Sequence, residues 1–170
     1  WGGVKGGISS DEAKSGKVDV IAQNLFESGL IAENLISGIA MARRANYMYA
    51  ALVPKDHLGQ IETGLGSSRG MAGTQTLVLP TETFDKQLTK KYGTLEFTVM
   101  HTPGETADQN SIYIKEYNFF ITSDNFYDSF PNIYTIRGAK ARDPRKWATS
   151  AQQAIDIIKD KKIDTLIRQH

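Results

Sequence analysis

The chain has 170 residues, enough for one domain with a hydrophobic core, and its 20 basic and 19 acidic residues leave a formal net charge of +1. This balance gives no support for nucleic acid or an acidic surface as a partner. The absence of cysteine excludes disulfides and thiolate zinc sites. No apolar run reaches the roughly 18 residues that a membrane span needs, so we predict no membrane span, and localisation stays open.

The first third of the chain is predicted to contain a loop, a short strand and the longest helix. Residues 2–16 are rich in Gly, Ser and Lys and predict a loop with a short helix, and the alternation in Lys17–Ala22 predicts a short strand. The longest predicted helix runs from about Gly29 to Leu52, and Pro54 ends it. An apolar stripe at helical spacing supports this helix: Leu30, Ile31, Leu35, Ile36, Ile39 and Met41.

Residues 55–73 form a glycine-rich segment with glycines at 59, 64, 66, 70 and 73. The segment lacks the Gly-Lys-Ser/Thr ending of a phosphate-binding loop and precedes a predicted strand rather than a helix. We therefore favour a flexible substrate-facing loop over nucleotide binding.

From Thr74 to Asp124 the pattern predicts strands, with Glu116-Tyr117-Asn118 as a tight hairpin between the last two. The predicted strands are Thr76–Leu79, Thr94–Met100, Ser111–Lys115 and Phe119–Thr122. A helix at about 144–160 follows, because Asp143 is a good N-cap and Pro144 suits the first helical position. Its apolar face comprises Trp147, Ala151, Ala154, Ile155 and Ile158, and Ile163–Ile167 predicts a last strand. Helices together with hairpins predict an α/β sandwich rather than a purely parallel fold.

Two carboxylates follow apolar runs in this strand-rich region. Glu105 comes after a Thr-Pro-Gly turn, and Asp124 comes after the run Phe119–Thr122. At the ends of adjacent predicted strands they are well placed to converge, and carboxylate oxygens bind zinc and can bridge two ions. The pattern indicates metal ligation. The alternative is that Glu105 is a solvated turn residue and Asp124 a turn or N-cap residue.

The histidines and the basic residues add candidates for ligands and for substrate contacts. We expect His57 to be solvated and His101 to support the site, whereas His170 is a candidate ligand at the end of the last predicted strand. The basic cluster from Arg137 to Arg142 lies just before a helix and either binds an anion or is a solvated surface. Tyr47 and Tyr49 either line a pocket or pack. No Gly-x-Ser-x-Gly nucleophile motif occurs.

The segments HTPGET at 101–106 and FFITSD at 119–124 resemble the metallo-β-lactamase superfamily. In that superfamily a Thr-Pro-Gly-His-Thr turn supplies a metal ligand, and a later aspartate bridges two metal ions. Glu105 stands where that histidine would be, and Asp124 where the aspartate would be. Further segments resemble the alkyl sulfatase branch: GGVKGG at 2–7, ENLISGIAMARRANYMYAALVPK at 33–55, GLG at 64–66 and NIYTIRGAKARDPRKWA at 132–148.

This resemblance implies an αββα sandwich that cleaves alkyl sulfate esters through hydroxide held by two zinc ions. It implies that Asp124 is catalytic and bridges the ions, while Glu105 and His170 complete their shells. Arg137 would bind the sulfate oxygens, Tyr47 would contact the substrate, and the full-length protein would be a homodimer. The chain departs from the branch because the turn reads Gly-Glu-Thr rather than Gly-Thr-Glu, the following loop is one residue shorter, and Asp124 replaces a glutamate.

The superfamily's main metal motif, His-x-His-x-Asp-His, would end where Trp1-Gly2-Gly3 begins. We therefore expect residues 1–170 to be the middle and C-terminal part of one catalytic domain, an incomplete sandwich that lacks its N-terminal half. We expect this chain alone to be inactive. Two alternatives remain: another hydrolase of the superfamily, acting on a thioester or a lactam, and a non-enzymatic domain that lost the metal site.

Overall fold

The computed structural model of the chain describes residues 8–63, 78–129 and 131–168. Within these ranges the strands form two sheets. The strands are β1 (Ile21–Gln23), β2 (Glu82–Phe84), β3 (Gln87–Tyr92), β4 (Leu95–His101), β5 (Asn110–Ile114), β6 (Phe119–Ile121) and β7 (Thr165–Ile167). The helices are α1 (Ser10–Lys14), α2 (Phe26–Leu30), α3 (Gly38–Met48) and α4 (Pro144–Lys161), with a π-helical segment, Ile31–Ile36, between α2 and α3.

The main sheet has five strands in the order β3-β4-β5-β6-β7. Strands β3 to β6 pair in antiparallel fashion, whereas β7 joins β6 in parallel. Strands β4, β6 and β7 therefore run in the same direction, and their carboxyl ends lie at one edge of the sheet. The other sheet contains only the parallel pair of β1 and β2.

Helix α4 covers one face of the main sheet and closes the hydrophobic core. Met100 of β4, Phe120 of β6 and Ala154 of α4 form the buried centre. Partly buried side chains pack around them: Tyr113, Phe126, Ile157, Ile158 and Ile163. Because Phe120 is completely buried, the middle of β6 is fixed between α4 and its neighbouring strands.

The sequence predicts α4 well because its ends are marked by local chemistry. The Asp143 carboxylate accepts hydrogen bonds from the backbone N–H groups of Arg145 and Lys146, and Pro144 occupies the first turn. The helix ends at Lys161, and the C-cap residue Lys162 adopts a left-handed conformation. The prediction of a helix at about 144–160 is confirmed, except that Ile155, assigned to its apolar face, is exposed and Ile157 packs in the core instead.

Strands β4, β5, β6 and β7 confirm four of the five predicted strands in this half of the chain, with boundary shifts of one to two residues. The hairpin turn is also confirmed, because the Asn118 N–H donates to the Lys115 carbonyl with Asn118 in the left-handed region. The strand predicted at Thr76–Leu79 is wrong for Val78 and Leu79, which lie outside any strand, and its first two residues lie outside the described ranges.

The sequence did not reveal β2 and β3, and their composition explains why. Strand β2 is only three residues long, and β3 is an edge strand whose QLTKKY sequence has no apolar alternation. Charged residues on an edge strand protect it from pairing with other chains, so the strand lacks the pattern that identifies a buried one. Strand β1 occupies Ile21–Gln23, at the end of the predicted Lys17–Ala22 segment.

The predicted helix from about Gly29 to Leu52 is confirmed in outline but not as one regular helix. It starts at Phe26, passes through the π-helical segment, is interrupted at Ser37 and ends at Met48. Of the predicted apolar stripe only Met41 is buried, whereas Leu35, Ile36 and Ile39 are 73%, 79% and 74% exposed. Within the described ranges no helix is both long enough and apolar enough to cross a membrane.

Candidate functional site

The Thr-Pro-Gly turn lies at the carboxyl end of β4 and is held from several sides. The buried Thr102 donates its N–H to the Gln109 carbonyl at 2.9 Å, and its hydroxyl lies 2.8 Å from that of Ser111. The Ser150 hydroxyl of α4 donates to the Pro103 carbonyl at 2.7 Å. The turn is therefore anchored both to β5 and to α4, which fixes the position of Glu105 beyond it.

Asn125 joins this turn to the segment that follows β6. Its side-chain amide donates to the Thr102 carbonyl at 2.6 Å, and its side-chain oxygen accepts the Glu105 N–H at 3.2 Å. Asp124 directly precedes Asn125 in a short helical turn, Ser123–Asn125. The loops that carry Glu105 and Asp124 are thus in direct contact at one edge of the sheet.

Both acidic residues follow strands that run in the same direction, but these strands are not neighbours. The sequence analysis placed Glu105 and Asp124 at the ends of adjacent strands, whereas β5 lies between β4 and β6 in the sheet. The shared edge follows from the direction of the strands rather than from their adjacency. Ser123, which has a left-handed backbone, turns the chain just before Asp124, and Asp124 itself is half-buried.

Gly104 is the residue that lets the two loops approach so closely. A Cβ atom at this position would overlap the Asn125 side-chain oxygen and would lie 2.9 Å from its Cγ and 3.0 Å from Trp147 Cδ1. Any side chain would therefore separate the turn from Asn125 and from α4. This close contact explains why the Thr-Pro-Gly motif has a glycine, and no larger residue, at position 104.

Trp147, in the first turn of α4, is hydrogen-bonded to the backbone of Asn125. Its indole N–H donates to the Asn125 carbonyl at 3.0 Å, and the ring is buried. The Tyr127 ring packs edge-on against it at 6.4 Å between centroids. A cavity of about 350 Å³ lies beside this pair, between the start of α4 and the segment 125–133.

The Glu105 carboxylate forms an ion pair with Arg142. Arg142 Nη2 lies 2.7 Å from Glu105 Oε1, and the two side chains are only 13% and 22% exposed. The same guanidinium donates to the Asn132 carbonyl and lies 5.9 Å from the centre of the Trp147 ring. Arg142 thereby fastens the basic segment 137–142 to the Thr-Pro-Gly turn.

Helix α3 contacts the basic segment beside Arg137. Arg137 is half-buried in a turn closed by the Gly138 N–H and the Thr135 carbonyl at 3.0 Å. Gly138 has a φ of +93°, and the Arg44 guanidinium of α3 occupies the space that a Cβ at Gly138 would need. Tyr47 lies on the same helix and is exposed. Arg137 and α3 are therefore brought together, although substrate contacts by Arg137 and Tyr47 remain predictions.

The structure describes two of the three histidines, His57 and His101. The His101 ring nitrogen Nε2 lies 2.7 Å from the Ala107 carbonyl and so holds the loop that follows the turn. His57 is exposed in the loop after α3. His170 lies outside the described residues, so its proposed role as a ligand stays a prediction.

The described side chains provide an incomplete donor set for a metal ion. No group of three or more His, Cys, Asp or Glu residues among them is arranged to hold a metal ion. Glu105 and Asp124 offer hard oxygen donors on two joined loops, and the Asn110 side-chain oxygen is buried without a hydrogen-bond partner among the described residues. The carboxylates of Glu105 and Asp124 are donors of a kind that zinc binds, and a complete shell needs donors beyond them.

Sequence reasoning missed three residues of this site: Asn125, Arg142 as the partner of Glu105, and Trp147 as a donor. The sequence places Arg142 in the basic cluster but favours Arg137 for the anion. Apart from its place directly after the candidate ligand Asp124, no sequence pattern marks Asn125, and nothing in the spacing couples residue 105 with residue 142.

Known proteins resemble the chain over its whole length. It is 36% identical to a linear primary-alkylsulfatase of Pseudomonas sp. over 162 residues, which cover 94% of this chain and 24% of that relative. It is 33% identical to an (R)-specific secondary-alkylsulfatase of Pseudomonas sp., covering all of this chain and 26% of the relative. The alkyl/aryl-sulfatase BDS1 of Saccharomyces cerevisiae is 30% identical, again over the whole chain and 26% of that protein. No protein-family model matches the chain.

Solved structures agree with these relatives. The stereoselective inverting sec-alkylsulfatase Pisa1 from Pseudomonas sp. superposes with a TM-score of 0.88 at 32% identity, covering 99% of this chain and 27% of that one. The metallo-β-lactamase superfamily protein ST1585 from Sulfolobus tokodaii shares the fold alone, with a TM-score of 0.55 at 14% identity over 94% of this chain and 54% of that one. The chain spans about a quarter of the length of its curated relatives, and it is homologous to that part of the alkylsulfatases, whose metallo-β-lactamase fold it shares.

Proposed function

We propose that this chain is part of an alkylsulfatase, a metal-dependent hydrolase that cleaves alkyl sulfate esters. The observation that carries the proposal is 30–36% identity to three alkylsulfatases over 94–100% of the chain. The joined loops of Glu105 and Asp124, at one edge of the sheet, support it. In this proposal residues 1–170 are the middle and C-terminal part of the catalytic domain, and the full-length protein is a homodimer.

The proposed metal is zinc, with Asp124, Glu105 and His170 among its ligands. A bound zinc ion supplies a water molecule of lowered pKa as the nucleophile. Asp124 has the catalytic role, and the ion pair with Arg142 holds the Glu105 carboxylate in a fixed position. Further donors come from outside the described residues.

We propose that the substrate is an alkyl sulfate whose anionic group binds near the basic segment. Arg137 binds the sulfate oxygens, because a guanidinium presents paired donors to such an anion. Arg44 packs against the same turn and leaves a second positive charge nearby. Tyr47 lies one helical turn from Arg44 and contacts the alkyl part.

The test is release of inorganic sulfate by the full-length protein from a linear primary alkyl sulfate and from both enantiomers of a secondary one. We expect release that stops after treatment with a chelator and returns when zinc is added. A thioester and a lactam serve as control substrates. Cleavage of either control without sulfate release, or no turnover by protein that retains its metal, would contradict the proposal.

A further inference from the structure

The Asn125 carboxamide uses both of its ends on the backbone of a single turn. Asn125 is 4% exposed, its amide donates to the Thr102 carbonyl, and its oxygen accepts the Glu105 N–H. These two bonds span the Thr-Pro-Gly turn from its first residue to the residue after it. The asparagine therefore acts as a bridge across the whole turn.

No other side chain of similar size offers the same pair of groups. Aspartate places an acceptor against the Thr102 carbonyl, and leucine fills the space without any hydrogen bond. Aspartate leaves the Thr102 carbonyl without its donor, and leucine also leaves the Glu105 N–H without its acceptor, which is costly in a buried site. The chemistry of the turn thus selects an amide at position 125.

The backbone of Asn125 is fixed as firmly as its side chain. Trp147 donates its indole N–H to the Asn125 carbonyl, and the Trp147 ring in turn contacts the Arg142 guanidinium. Arg142 pairs with Glu105, so the contacts form a closed circuit from Glu105 through Asn125, Trp147 and Arg142. Asp124 is covalently attached to this circuit as the neighbour of Asn125.

We propose that Asn125 is a positioning residue that sets the distance between the Glu105 loop and the Asp124 loop, with Trp147 fixing its backbone. This inference rests on the proposed function, because the two acidic residues are the proposed ligands. Asn125 does not touch the reacting atoms. It acts by fixing the two loops that must supply ligands to the same metal centre.

Gln23 provides a matched control for a purely structural role. It is also a buried carboxamide, 2% exposed, and it also bridges two backbone groups, donating to the Asp85 carbonyl at 3.1 Å and accepting the Leu25 N–H at 2.6 Å. It lies in the two-stranded sheet of β1 and β2. Asn125→Asp and Gln23→Glu therefore remove the same donor from two equally buried bridges.

The experiment compares these two variants with the unmodified full-length protein. Sulfate release gives kcat and KM, chelator competition gives the affinity for bound metal, and hydrogen exchange reports on the peptide that spans 102–107. We expect Asn125→Asp to lower kcat or metal affinity by about 10- to 100-fold and to speed exchange in that peptide. Gln23→Glu should leave kcat, metal affinity and the hydrogen exchange of residues 102–107 close to the unmodified values, even if its melting temperature falls.

Two results would overturn the inference. One is an Asn125→Asp protein that keeps kcat, metal affinity and the exchange of residues 102–107 within about twofold, and the other is an equal loss of metal affinity in Gln23→Glu. If Asn125→Asp does not fold, Trp147→Phe replaces it, since this change removes only the donor to Asn125 and should act in the same direction. If the unmodified protein releases no sulfate, the proposed function fails, while metal affinity and hydrogen exchange still decide the role of Asn125.

Discussion

The C-terminal helix α4 and the N-terminal helical segment from Phe26 to Met48 carry similar sequence signals but differ in what they bury. Both show apolar residues at helical spacing. Helix α4 buries Trp147, Ser150 and Ala154, whereas the N-terminal segment buries Met41 alone among its described residues. Periodicity therefore identifies a helix and its apolar face, but it does not tell which other part of the protein that face contacts.

The ends of the two regions differ as well. Helix α4 has a side-chain N-cap at Asp143, whereas neither α2 nor α3 has a side-chain hydrogen bond at its N-cap. The N-terminal segment also changes its hydrogen-bond pattern within the π-helical segment and breaks at Ser37. Such changes often occur near functional sites, and here the segment leads to Arg44, which packs against Gly138. The region around α4 and the less buried N-terminal segment both contact the basic segment.

The largest loss of stability should come from a cavity in the hydrophobic core beneath α4. Phe120→Ala should destabilise the protein by about 3–5 kcal/mol, because a fully buried ring is replaced by a cavity. Ile36→Ala, on the exposed face of the N-terminal segment, should change stability by less than about 0.5 kcal/mol. Denaturant unfolding followed by circular dichroism measures both. A comparable loss for Ile36→Ala would mean that another part of the protein covers this face.

Two glycines should respond in opposite directions. Gly104→Ala should destabilise the protein by about 1–3 kcal/mol, since its Cβ would overlap Asn125. Gly29→Ala should stabilise it by about 0.5–1 kcal/mol, because nothing lies within 4 Å of the new Cβ and alanine is the better helix former. The same denaturant titration gives both values. A Gly104→Ala protein with the same free energy of unfolding as the unmodified protein would show that the turn does not need its close contact with Asn125.

The ion pair of the candidate site should contribute less than the core. Arg142→Gln should cost about 1–2 kcal/mol, because the pair with Glu105 is mostly shielded from water. Arg145→Gln, on the exposed side of α4, is the control and should cost less than about 0.5 kcal/mol. Equal effects in thermal unfolding would show that the Glu105–Arg142 pair has no special role.

The smallest effect should be a pH dependence from the Asp128–Arg168 ion pair. The Arg168 guanidinium, through its hydrogen bond and its charge, lowers the pKa of the Asp128 carboxyl below the usual 3.8. The pair therefore stabilises the folded state above about pH 3.8, and this contribution disappears as the pH falls through the lowered pKa of the folded state. Asp128→Asn should have a lower melting temperature than the unmodified protein at neutral pH. In acid the two melting temperatures should become equal. A difference in melting temperature that does not change with pH would contradict this assignment.

The elements with local signals could be predicted from the sequence. Asp143 and Pro144 mark the start of α4, and alternation marks β4. The sequence also places Glu105 and Asp124 directly after strands, although it does not show that β5 lies between those two strands. The hairpin at residues 116–118 was evident from its short spacing. In each case the information lies within a few neighbouring residues.

The remaining features depend on contacts between distant parts of the chain. The pairing of Glu105 with Arg142 spans 37 residues, and the contact of Trp147 with Asn125 spans 22. The polar edge strand β3 resembles a loop in its composition, and the stripe of Leu35, Ile36 and Ile39 resembles a core face although it is exposed. Tertiary packing decides these features, and no short segment contains that information.

The central claim is that the loop of Asp124 belongs to the site that cleaves alkyl sulfates. The most direct measurement is sulfate release by the full-length protein carrying Asp124→Asn, compared with Asp128→Asn four residues away. We predict a loss on the order of 100-fold or more in kcat/KM for Asp124→Asn, because a proposed metal ligand is removed, and nearly full activity for Asp128→Asn. Full activity of a correctly folded Asp124→Asn protein would contradict the account.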